Sequence, residues 1–213
     1  MLPLLVLYFA RNRLPKSEFA VMKVRGQAVN KTIDISGIIL NTERLILRPW
    51  KESDLEDLFE YASVDGVGQM AGWPPHKSIE ESHKRLDRFI SNKKTFALEY
   101  QGKVIGSCGL VDYNEEHYPE LALLKGREIG YVLSKDYWGR GFMAEAVKVV
   151  IKYLFELENL DFIIAGHFEK NQQSARVIQK CGFEYIKTIP YETQLGTVET
   201  SIEHILYNPN NNR

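Results

Sequence analysis

The chain carries only two cysteines, Cys108 and Cys181, far apart in sequence. They give no disulfide framework and no zinc-ligand spacing, so a reducing, cytoplasmic setting is the simpler reading. Charge of one sign is also lacking: 27 Lys and Arg stand against 28 Asp and Glu, for a net charge of −1. That balance argues against a nucleic-acid binder driven by overall basicity and against a polyanionic chain. No apolar run approaches the roughly 20 residues of a membrane-spanning helix. The longest candidate, residues 2–10, is followed by Arg11 and Arg13, whereas a signal peptide wants its positive charge before the apolar core. No stable membrane anchor is expected. Internal repeats and linkers are absent as well. What is present is an ordinary globular composition, 44% apolar and 26% charged over 213 residues, large enough for one core without staples.

Residues 1–37 read as an extension. Three readings stand for it: a segment without catalytic role, with Met22 serving equally well as a start; a segment packed on the domain or a second subunit; or a weak membrane contact. Turn-like Ser36-Gly37 places the boundary there, leaving residues 38–207 as one domain and 208–213 as a frayed tail. Within the domain, residues 39–49 read as a strand, and amphipathic spacing after Ser53-Asp54 as a helix. Ser78 and Glu81 form a capping-box pattern ahead of a second helix. Residues 95–100 and 104–113 read as a hairpin, 114–126 as a polar loop, and 127–133 as a strand. A helix over 142–157, an apolar strand over 161–167, a helix over 171–181 and strands over 183–191 and 198–206 complete a mixed α/β domain.

The strongest chemical signal is Ser134-Lys135-Asp136-Tyr137-Trp138-Gly139-Arg140-Gly141-Phe142-Met143-Ala144, where a strand runs through a two-glycine loop into a helix. Free N–H groups of a first helical turn converge on one point, and the helix dipole favours an anion there. Gly139 and Gly141 let a phosphate approach the backbone, with Lys135 and Arg140 adding charge nearby. The loop lacks the Gly-Lys-Ser/Thr of a Walker motif and the third glycine of a dinucleotide fingerprint. A glycine turn serving only chain reversal is the plain alternative.

Here the sequence resembles the GNAT acyl-CoA N-acyltransferases. Their pyrophosphate loop, Gln/Arg-x-x-Gly-x-Gly/Ala, is similar to Trp138-Gly-Arg-Gly141-Phe-Met143, with Met143 departing from the small residue of the last place. Trp138-Gly139, the opening Thr42-Glu43-Arg44-Leu45-Ile46-Leu47-Arg48-Pro49 and the block Asn171-x-x-Ser174 through Lys180-x-Gly182-Phe183 resemble the RimJ/RimL branch. That branch modifies the amino termini of ribosomal proteins. The resemblance spans roughly residues 41–207. It implies a mostly antiparallel six- to seven-stranded sheet with a splayed parallel pair, flanked by about four helices, and possession of acetyl-CoA as donor without a metal. A homodimer is a family expectation, and no nucleic-acid partner is implied.

By the same resemblance, acetyl-CoA lies between the strands at 128–133 and 161–167, held by Val132, Leu133, the loop residues Trp138, Gly139, Arg140, Gly141, Phe142, Met143 and Ala144, and by Asn171 and Ser174. Backbone dipoles there would stabilise an oxyanion. Asn171 also suits a plain helix N-cap. Many relatives carry a tyrosine acid seven residues after this asparagine, but Ile178 stands in that place, so Ser174 is the substitute acid, or a first-turn polar residue only. Glu128, within Glu-Ile-Gly-Tyr, is the candidate base, with a cross-strand ion pair as its alternative role. An α-amine near pKa 7.7–8.0 needs little help from a base, a lysine near 10.4 much more. His167, Trp73 and His76 are expected to shape the acceptor side. His117, Glu115 and Glu116 fall in the polar loop, and the cysteines look like small core residues. The acceptor expected is a protein N-terminal α-amine, with a small amine such as a polyamine, amino acid or aminoglycoside as the alternative, and a non-catalytic acyl-CoA sensor as the rival class.

Overall fold

One mixed sheet of eight strands organises residues 30–211, the part of the chain that the computed structural model describes. The strands are β1 (Leu40–Asn41), β2 (Ile46–Pro49), β3 (Thr95–Tyr100), β4 (Lys103–Val111), β5 (Gly126–Leu133), β6 (Phe162–Phe168), β7 (Glu184–Glu192) and β8 (Val198–Tyr207). Four α-helices accompany them among the described residues: α1 (Leu55–Ala62), α2 (Ile79–Asn92), α3 (Phe142–Glu156) and α4 (Gln172–Lys180). Sheet order is β1-β2-β3-β4-β5-β6-β8-β7, antiparallel throughout except for β5 and β6. The eighth strand arises because residues 42–44 turn within the single strand expected over 39–49. Thr42 and Arg44 are drawn from that strand by the Glu145 carboxylate on α3, which accepts from the Thr42 hydroxyl at 2.5 Å and the Arg44 N–H at 2.9 Å.

Side-chain alternation on the strands sends apolar residues to both faces. On one face Phe96, Leu98, Ile105 and Ile163 meet Ala146, Val147, Val150 and Leu154 of α3 and Ile178 of α4. On the other, Ala97 and Val104 meet Leu58 of α1 and Leu86 of α2. Burying both faces is what a largely apolar central sheet requires.

Sequence expectation and structure part at four further places. Ile33 and Ile35 are 2% and 1% exposed in the main core, so this stretch ahead of Ser36-Gly37 packs as part of the domain. Burial of two isoleucines outweighs the local turn signal. The apolar run at 2–10 and Met22 lie outside the described residues. The tail expected to fray is pinned at Asn208, which is 6% exposed and donates to the Leu160 carbonyl at 2.9 Å. Residues 114–126 form two 3-10 turns whose Tyr118 and Leu121 are each 3% exposed, because they cover Phe162 and Ile164. Ser78 occupies the N-cap of α2 without capping it, while Glu81 accepts from the Lys77 N–H at 2.7 Å.

A buried ion cluster locks β2 to the start of α1. Asp54 takes both ends of the Arg48 guanidinium at 2.8 and 2.9 Å, and Glu99 takes its Nε at 2.6 Å. These partners hold the guanidinium more firmly charged than usual. Asp54→Ala should therefore destabilise the fold by about 3–5 kcal/mol, since it strands a buried charge. Urea unfolding checks this; a loss under about 1 kcal/mol would mean that Glu99 alone suffices.

Candidate active site

The parallel pair β5–β6 is joined only over Gly126, Arg127 and Glu128, opposite Phe162, Ile163 and Ile164. Beyond Glu128 the strands part: β5 stays on β4 as far as Leu133, and β6 stays on β8 as far as Phe168. The opening belongs to a cleft of about 1490 Å³ that runs from the start of α3 to the β7–β8 hairpin. Glu128 stands at its apex.

The α3 end is shaped by two glycines in the left-handed region. Gly139 has φ 74° and Gly141, the N-cap of α3, φ 83°. A Cβ at Gly139 would meet no atom within 4 Å. A Cβ at Gly141 would meet Arg44 Nη2 at 3.6 Å, so two left-handed glycines lead into the first turn of α3, where a helix start attracts an anion. Phe142 and Met143 are 1% and 5% exposed and anchor the helix start in the core. Arg140, between the two glycines, is exposed. Its guanidinium lies over the rings of Tyr137 and Phe142, 5.4 and 5.1 Å from their centroids, where cation–π contact holds it. Lys135 likewise donates to the Asp65 carbonyl at 3.3 Å.

Asn171 caps α4 through its side-chain oxygen, which accepts from the Ser174 N–H at 3.0 Å, and its amide donates to Met70 O at 3.1 Å. One side chain thus ties α4 to the segment ahead of Trp73. Ser174 Oγ lies 2.8 Å from the Tyr131 hydroxyl. Burial pushes the Tyr131 phenol above its usual range, against the pull of the Ser174 hydrogen bond, so it keeps its proton. Ile178 is 1% exposed in the core, turned away from any chemistry. Tyr131 was missed as a polar candidate. The signal was available in Glu-Ile-Gly-Tyr, because side chains two apart on β5 share a face with Ile129 toward α3 and α4.

At the apex, burial and then the charge of Glu203 push the Glu128 carboxyl up to about 8. Glu203, 5% exposed on β8, accepts from Ser201 Oγ at 2.6 Å and Tyr118 OH at 3.1 Å. It reaches the cleft because its β6 partner is Gly166, whose missing Cβ would stand 2.7 Å from the Glu203 carboxylate. Glu203 was invisible to local sequence reading, since the register between β6 and β8 brings it there. His167, 8% exposed, has its Nδ1 2.9 Å from the Phe168 carbonyl and stacks on His204 at 5.3 Å.

The opposite wall comes from α1, α2 and the loop between them. Trp73 and His76 rings lie 5.3 Å apart, and His76 Nδ1 is 2.7 Å from Ser82 Oγ. Burial first, and Arg85 second, lower the His76 proton affinity, so it is neutral at pH 7. Both cysteines are held as thiols: burial pushes Cys108 up to about 12 and Cys181 up to about 11. Thiolates are what acyl-cysteine chemistry needs.

Residues 44–184 match the family model described as an acetyltransferase (GNAT) domain. The chain is also 30% identical to the uncharacterized N-acetyltransferase YoaA of Bacillus subtilis over 183 residues, covering 75% of this chain and 96% of that one. It belongs to the GNAT acetyltransferase family. Among solved structures, the ribosomal-protein-S5-alanine acetyltransferase of Vibrio fischeri superposes with a TM-score of 0.61 at 22% identity, covering 83% and 100% of the two chains. The spermidine N-acetyltransferase of Vibrio cholerae, in complex with CoA and spermine, gives 0.63 at 18%, covering 78% and 96%. These likenesses show the shared fold.

In this GNAT enzyme the other residues expected at the site do line one cleft. Val132, Leu133, Trp138, Gly139, Gly141, Phe142, Met143, Ala144, Asn171, Ser174, Glu128, Trp73, His76 and His167 are all on its wall. Tyr131, Glu203 and Arg85 join them unanticipated. No helix among the described residues is long and apolar enough to cross a membrane.

Proposed function

We propose that this GNAT acetyltransferase moves an acetyl group from acetyl-CoA directly to an α-amine, with Glu128 taking up the amine proton. The observation that carries this is a carboxyl group poised at about 8 where β5 and β6 part. General bases work best with a pKa near the operating pH, and this one matches an α-amine at 7.7–8.0 far better than a lysine at 10.4. Bound acetyl-CoA supplies the activated acetyl thioester, and the glycine-lined start of α3 fits its phosphates. Backbone N–H groups of the parted stretch of β5 hold negative charge that develops on the carbonyl oxygen. As the N–C bond forms and the C–S bond breaks, Glu128 receives the amine proton directly or through water. Ser174, backed by the Tyr131 hydroxyl, gives a proton to the departing sulfur. Protonated cysteines support direct attack over an acyl-cysteine route.

The RimJ/RimL resemblance and the fold shared with a ribosomal-protein acetyltransferase favour a protein N-terminus as acceptor. The carboxylates Glu128 and Glu203 in one cleft favour a second reading, a small polyamine. A thiol-release assay over a panel of peptides and small amines separates the two. Acetyl-CoA at about 100 times its Kd should also raise stability by roughly 2.7 kcal/mol, visible as a higher Tm. No Tm shift, or no acceptor-dependent thiol, would overturn the proposal.

A further inference from the structure

Paired arginines of the described residues meet carboxylates: Arg48 has Asp54 and Glu99, and Arg44 has Glu145. Arg127, 1% exposed within the sheet, lies against Asp112 and leaves its Nε without a hydrogen bond. Arg85, partly buried on α2 and on the wall of the cleft, makes no ion pair and no hydrogen bond among the described residues. Its guanidinium lies 5.9 Å from the Phe89 ring centroid, and the charges acting on it come from Arg88, which opposes it, and the Tyr61 phenol. Desolvation dominates its surroundings and lowers its proton affinity. Holding a guanidinium partly out of water without an anion is costly, and on the wall of an open cleft a bound anion offsets that cost.

The location says which ligand. Arg85 is near enough to Tyr61 and His76 to act on both. The Tyr61 hydroxyl is close enough to Ser107 to feel it, and Ser107 is the β4 partner of Val132, in the stretch of β5 that has parted from β6. Arg85 therefore overlooks the opened part of the sheet from the α2 side, while Glu128 and Glu203 face the cleft from β5 and β8. Arg85 marks one wall, and Glu128 and Glu203 stand on another. A polyamine, cationic at every nitrogen, would meet Arg85 unfavourably. An amine that also carries an anion would satisfy both walls, and the planar fork of arginine matches a carboxylate at two points.

We propose that Arg85 is a specificity-determining residue that binds a carboxylate carried by the acceptor close to its α-amine. That carboxylate is either the acidic side chain of a peptide's first residue or the carboxylate of a free amino acid. The inference rests on the acetyl-transfer reading above and names the acceptor class for the same cleft.

Isosteric pairs test it in the intact protein with acetyl-CoA. Peptides beginning with Asp or Asn, and with Glu or Gln, form one arm. Free L-amino acids and their amides form the other. We expect kcat/KM to favour the acid member by at least about tenfold in one arm, as charge-assisted hydrogen bonds do. The arm that shows it identifies the source of the carboxylate. In Arg85→Gln the ratio should fall to about one, and in Arg85→Lys, which keeps the charge and loses the fork, to an intermediate value. The wild-type ratio is informative even if Arg85→Gln fails to fold. Equal rates within each pair, preference for the amide, or an unchanged ratio in folded Arg85→Gln overturns the assignment. Absence of thiol release with every amine would instead overturn the acetyl-transfer reading, and this inference with it.

Discussion

Glu128→Gln is expected to lower kcat/KM for an α-amine acceptor by about 100-fold, the scale of a lost general base. The sharper result is in the pH dependence. Because the Glu128 carboxyl lies at about 8, it is mostly protonated at pH 7 and becomes a base as pH rises. With an acceptor analogue whose nitrogen stays neutral throughout, wild-type rate should climb through about pH 8. The glutamine variant should be flat. A limb that persists in the variant would assign the proton transfer to another group.

Stability separates this from damage to the fold. The folded carboxyl has a pKa above the ordinary glutamate value of about 4.3, so folding favours its protonated form. Stability is greatest below about 4.3 and is lost as pH rises to about 8, where the ionised group is fully penalised. Glutamine carries no such penalty. Above pH 8 the variant should melt no lower than wild type while remaining slow.

Gly141→Val should reduce acetyl-CoA affinity by more than about 100-fold, read by calorimetry and by loss of the ligand-induced Tm shift. The N-cap of α3 sits at φ 83°, a conformation that a β-branched residue avoids. Relaxing it would turn the first-turn N–H groups from their common focus. The core grip of Phe142 and Ala146 should keep the rest of α3 in place. Gly139→Ala is the milder partner: its Cβ enters open space, so affinity should fall less, while the left-handed φ of 74° should cost the unliganded fold about 1–2 kcal/mol. Unchanged affinity in Gly141→Val would remove the phosphates from this loop.

What sequence revealed follows the range of the forces involved. Helices α3 and α4 were legible because amphipathic spacing and the Asn171 cap are local signals. The glycine loop was legible because it joins a strand directly to a helix. For Arg140, sequence gives the charge and not the aromatic rings its guanidinium lies over. Glu203 and Arg85 were out of reach for a different reason. Each enters the cleft through tertiary placement, one by strand register beside Gly166 and the other across the α2 wall. Residues at 30–35 showed the reverse error, where a turn motif was taken as an edge although Ile33 and Ile35 are core.

The two cysteines have a consequence for oxidative chemistry. Peroxides and alkylating agents attack sulfur as thiolate, and at pH 7 a thiol at about 12 is ionised in about one molecule in 100,000. Cys108 is fully buried besides, and Cys181 leans on the Ala144 carbonyl at 3.7 Å beside the start of α3. A reactive sulfur in that position would couple the anion cradle to the redox state of its surroundings. With both held as thiols, these two sulfurs bring no thiolate chemistry to the cradle.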